Sequence, residues 1–104
     1  MMSQQQLLKQ ELTTSQILRV YGKQFAQTKK GYSDGLTGRC AIGVVMSFYG
    51  WNGKHDSDAP NRLSDALFAL GHDGFDENLI IRLNDSGATF DEIADYLDRI
   101  DKRY

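Results

Sequence analysis

One cysteine and two histidines hold most of the reactive chemistry this chain has. Cys40 directly follows Arg39 and stands near the start of an apolar run. A neighbouring cation and a helix N-terminus both favour a thiolate, which is how a nucleophilic cysteine is made. His55 or His72 would then act as base, with Asp56, Asp73 or Asn84 orienting it. Asp85 completes the candidate set for a cysteine-dependent enzyme. No spacing selects either histidine as the partner of Cys40, and the commoner fate of a free cysteine on an apolar helix is that of a small buried hydrophobe.

His55, Asp56 and Asp58 crowd one loop and suggest a metal or acid–base cluster. A structural zinc site wants four Cys or His ligands, and the chain has three such residues in all. The run Asp56-Ser57-Asp58-Ala59-Pro60-Asn61 imitates the opening of a calcium loop. Proline falls at the third oxygen position, asparagine replaces the turn glycine, and Leu67 stands where the bidentate glutamate belongs. The residues are better read as a solvated loop whose end caps a helix after Pro60. We therefore expect neither a metal nor a cofactor.

Asn84-Asp85-Ser86-Gly87 reads as a turn: Asn and Asp bond nearby backbone, and Gly87 supplies a positive φ. Asn84 or Asp85 is further predicted to accept from the unpaired N–H groups that begin the Cys40 helix. For binding, Tyr32, Tyr49 and Trp51 are the aromatic candidates, with Trp51, beside Asn52-Gly53, the one expected to be exposed.

Short helices must position these groups. Thr13 with Gln16 and Thr89 with Glu92 are capping-box pairs. The first introduces Ile17, Leu18, Tyr21 and Phe25 in a helix predicted to end near Thr28, and the second introduces Ile93, Tyr96, Leu97 and Ile100. Residues 29–38 read as a loop. Arg39 to Tyr49, closed by Gly50, is a buried helix rather than a strand, on its length and terminal glycine. Leu63, Ala66, Leu67 and Leu70 form a helical stripe ended by Gly71, and Asp76 caps a short helix holding Leu79, Ile80 and Leu83. The expected fold is one all-α domain over residues 1–104, a compact array of about five short helices joined by glycine-rich loops. Residues 1–12 form an arm or helix that could pack on its own domain or make a homodimer.

Composition fits that reading. The 104 residues are 40% hydrophobic and 25% charged, with a single proline, as in an ordinary globular domain. A net charge of −2 gives no broad field for nucleic acid, although Lys29, Lys30, Arg39 and Lys54 could form a basic face. Thr89 to Ile100 looks like the opening helix of a helix-turn-helix, but its acidic residues and the four positions after Ile100 do not suit DNA reading. The apolar run Cys40 to Tyr49 is too short for a bilayer, and the expected location is the cytoplasm.

Gly38-Arg39-Cys40-Ala41-Ile42-Gly43 together with Leu83-Asn84-Asp85-Ser86-Gly87-Ala88-Thr89-Phe90-Asp91-Glu92-Ile93-Ala94 resembles a group of short bacterial and phage-borne helical domains of unknown function. Those carry a Cys-Ala-x-Gly-Ala helix and a Trp-Asn-Asp-x-x-Gly turn before an acidic, capped last helix. Here Leu83 replaces the frequent tryptophan and Val44 the frequent alanine. The resemblance implies a helical fold and a phage or mobile-element setting, and no activity. The function expected is an interaction or regulatory module that binds a host protein; a cysteine-dependent enzyme and a weak nucleic-acid binder are the alternatives.

Overall fold

Residues 12–29, 31–35 and 37–100 are described by a computed structural model of the protein. They form α1 (Thr14–Tyr21), α2 (Ala41–Phe48), α3 (Ala59–Asp73), α4 (Glu77–Asp85) and α5 (Phe90–Arg99). Between α1 and α2 lie a 3-10 turn, Gly22–Gln24, and the strands β1 (Ala26–Gln27) and β2 (Gly38–Arg39). The fold is mostly α-helical, as the hydrophobic periodicity predicts. Residues 1–11, most of the predicted arm, lie outside the described residues, as do Lys30, Leu36 and 101–104.

Local capping starts most of the helices. Thr13 Oγ1 accepts from Gln16 N at 3.2 Å, and Gln16 Oε1 accepts from Thr13 N at 2.8 Å. Thr89 and Glu92 repeat this exchange at 3.1 and 2.9 Å, and Asp76 Oδ1 accepts from Asn78 N at 2.9 Å. Asp58 departs from expectation. It sits at the start of α3 without a side-chain cap, and its carboxylate faces Arg62 at 3.4 Å instead.

Two helix ends are corrected by the structure. α1 stops at Tyr21, well short of Thr28. Gly22 lies against the Phe90 ring, where an added Cβ would come within 2.8 Å of Cδ2. The chain tightens there, and Phe25 turns extended (φ −127°, ψ 144°). β1 then pairs in parallel with β2, Ala26 opposite Gly38 and Gln27 opposite Arg39, inside what the sequence suggested was helix and loop. α3 runs through Gly71 and ends at Asp73; Gly74 takes the left-handed conformation (φ 85°) that closes it, while Phe75 N donates to Leu70 O at 2.8 Å.

Every residue of α2 is buried. An apolar circumference of this kind needs neighbours on all sides. α1, α3 and α4 pack against α2, and α5 lies along α1. Ile17, Leu18, Ile42, Leu70, Ile80, Ile93 and Leu97 complete the core around it.

Candidate functional site

Cys40 is the N-cap residue of α2, and its Sγ accepts from Gly43 N at 3.4 Å. The residue is 5% exposed. Burial pushes the thiol pKa up, outweighing the downward pull of the Gly43 and Ile42 N–H groups, and the charge of Asp85 adds to the rise. This is the reverse of an activated thiol. A pocket of about 280 Å³ adjoins it, lined by Gly31, Tyr32, Ile42, Ile81, Asn84 and Asp85. Of the candidate catalytic residues, Cys40 and Asp85 are thus brought together. The histidines are not: the His55 ring lies 5.6 Å from that of Trp51, and His72 lines a different groove. Iodoacetamide at pH 8 is expected to alkylate native Cys40 about 100-fold more slowly than the urea-unfolded chain, because reaction waits on opening of the fold. Equal rates in the two states would contradict this assignment.

Asn84, fully buried, ties the pocket together. Its Oδ1 accepts from Ala41 N at 3.0 Å, within the first turn of α2, and from Gln27 Nε2 at 2.8 Å. Its Nδ2 donates to Thr28 O at 2.7 Å and to Asp85 Oδ1 at 3.2 Å. A backbone N–H on one side and a carbonyl on the other fix the amide orientation. One side chain therefore joins α4, the α2 start and the segment after β1. Gly87 (φ 106°) closes the turn that leads to the Thr89 cap.

Trp51 is buried, 4% exposed, which corrects its reading as an exposed anchor. Its Nε1 donates to Lys54 O at 2.8 Å. Its ring and that of Phe25 flank the Arg39 guanidinium, 5.4 and 4.6 Å from the respective centroids. Arg39 Nε donates to Ser47 Oγ at 2.9 Å and Nη1 to Gly38 O at 2.8 Å. This buried arginine escapes sequence reasoning, which had placed it on a basic face; the small Gly53 against the guanidinium is a trace of it. With Arg39 inside, exposed Lys29 and Lys54 are the described remainder of that basic group. The last helix is likewise engaged at home, since Arg19 Nη2 meets Asp95 and Asp98 at 2.7 Å each.

The second concavity, about 450 Å³, lies between α3 and the start of α1. Leu12, Ile17, Tyr49, Phe68, Ala69 and His72 line it. Asp73 also borders it, and its Oδ2 accepts from both Thr14 N and Thr14 Oγ1 at 2.7 Å, fastening the α1 start to the α3 end. Asp73→Ala strands the buried Thr14 groups and is expected to cost about 3 kcal/mol in urea unfolding. A loss below about 0.5 kcal/mol, the range of ordinary surface changes, would be inconsistent with the bond. Partly buried Tyr49 and half-buried Tyr32 therefore fall on different cavities, the α3 groove and the Cys40 pocket.

No protein-family model matches the chain, nor does any curated protein or solved structure. Among the described residues no helix is long and apolar enough to cross a membrane, and no three His, Cys, Asp or Glu groups gather to hold a metal ion.

Proposed function

We propose that this chain is a protein-interaction module of the cytoplasm whose recognition face is the outer surface of α3 around Phe68. One observation carries the reading: Phe68 is 78% exposed on the lip of a groove that already holds Leu12, Tyr49 and Ala69. Val20, 60% exposed, is the other large exposed apolar residue described. A phenylalanine in water at the edge of an apolar concavity is the anatomy of a binding anchor. Cys40 supports the non-enzymatic reading, because its thiol is buried, capped and without a histidine beside it among the described residues. An unpaired cysteine also suits a reducing compartment.

The test is differential capture from a lysate of the cells that carry the protein, with immobilised wild type and Phe68→Glu as baits. At least one protein held by the wild type is expected to be lost by the variant, while Cys40→Ala captures it as wild type does. Identical capture by wild type and Phe68→Glu would refute the assignment of this face.

A further inference from the structure

We infer that the partner seated on the α3 face is a second copy of this chain, docked with the two α3 helices antiparallel across a two-fold axis. The inference rests on reading that face as the recognition surface. Asp65, Phe68, Ala69 and His72 all line the groove, at offsets of zero, three, four and seven along one helix. That spacing places them on a single stripe. The stripe is complementary to its own reverse. An axis passing between positions 68 and 69 sets Phe68 against Ala69 of the partner subunit, and Asp65 against His72 of the partner subunit.

Each pairing is chemically matched. Ala69 is the smallest side chain on the stripe and leaves room for a ring, and the groove beside it, with Leu12 and Tyr49, receives the knob. Knob and hole lie on the same patch, which is what a closed, isologous two-fold interface requires. Asp65, its side chain 44% exposed, presents a carboxylate shared with Arg62 at 3.1 Å, and the exposed His72 imidazole supplies the donor facing it. An unrelated partner would have to bring an apolar knob, an acid and a base in the right order. A second copy brings all three by symmetry. With 15 residues, α3 is roughly 22 Å long, enough for two copies to lie side by side.

Sedimentation equilibrium of the purified full chain, from 1 to 500 µM in order of magnitude, reads the prediction directly. Wild type is expected to dimerise in that range. Phe68→Glu should weaken the dimer at least about 100-fold, which is about 2.7 kcal/mol. Asp65→Lys should weaken it about tenfold, and Asp65→Lys with His72→Glu should recover most of that loss, because a cation and an anion then face each other across the axis. A wild type that stays monomeric, a dimer indifferent to Phe68→Glu, or a double variant no better than Asp65→Lys alone overturns the second-copy assignment. A monomeric wild type that still shows Phe68-dependent capture from lysate overturns this inference while the interaction face stands. Absence of both dimer and Phe68-dependent capture removes the two together.

Discussion

Asn84→Leu is expected to destabilise the protein by about 3–5 kcal/mol, a large share of the 5–15 kcal/mol on the order of which small domains are stable. Two backbone groups lose their partner at once: the buried Ala41 N–H and the Thr28 carbonyl, held at 3.0 and 2.7 Å. Each stranded group costs roughly 1–3 kcal/mol, and a branched apolar side chain in a site shaped for a planar amide adds strain. Gln27 Nε2 has an alternative in Ala88 O at 2.6 Å and contributes less. Asn84→Asp keeps an oxygen toward Ala41 but sets another against the Thr28 carbonyl, so it does not rescue. Urea unfolding of the two variants measures this. A loss under about 1 kcal/mol for Asn84→Leu would mean that the junction between α4 and the start of α2 is not held by this side chain.

Gly43→Ala carries the other large effect, and its sign is the informative part. In an isolated helix the change would gain about 1 kcal/mol. Here an added Cβ collides with the Tyr32 carbonyl oxygen and approaches its carbon to 3.0 Å. That carbonyl accepts from Cys40 N at 3.2 Å, so the Tyr32 segment cannot retreat without releasing the α2 start. The clash wins, and a net loss of about 3 kcal/mol is expected, with the far larger side chain of Gly43→Leu preventing folding. Thermal unfolding followed by circular dichroism checks it, and an unchanged or raised midpoint for Gly43→Ala would contradict the close approach. The same substitution should also speed Cys40 alkylation, because Tyr32 walls the pocket.

Local chemistry was the legible part of this chain. The Thr13, Asp76 and Thr89 caps act on backbone within three residues, so sequence spacing suffices to find them. The stripe of the last helix and the mostly apolar α2 are visible for the same reason. What sequence does not display is chemistry joined across the chain. Asp73 meets Thr14 over 59 positions and Asn84 meets Ala41 over 43. β1 follows the extended Phe25, whose ring lies beside the Arg39 guanidinium, and nothing near Phe25 in the sequence announces that partner. Trp51 shows how a sound local inference goes astray. Asn52-Gly53 does mark a turn, but a turn can fold its neighbour inward, and Arg39 together with Lys54 O gives the indole reason to be there. Phe68 is the converse. It stands outside the apolar stripe of α3, and only the packing of Ala66 and Leu70 into the core reveals that its ring is left in water.

In its proposed role Phe68 serves recognition without serving the fold, and urea unfolding of Phe68→Glu beside wild type, at a concentration where the chain is monomeric, tests that most directly. We expect the two unfolding free energies to agree within about 0.5 kcal/mol, the range of surface substitutions, while the variant loses its partner. A loss of about 3 kcal/mol or more, as for truncating a core phenylalanine, would show that the ring is covered within its own chain and would contradict the proposed recognition face.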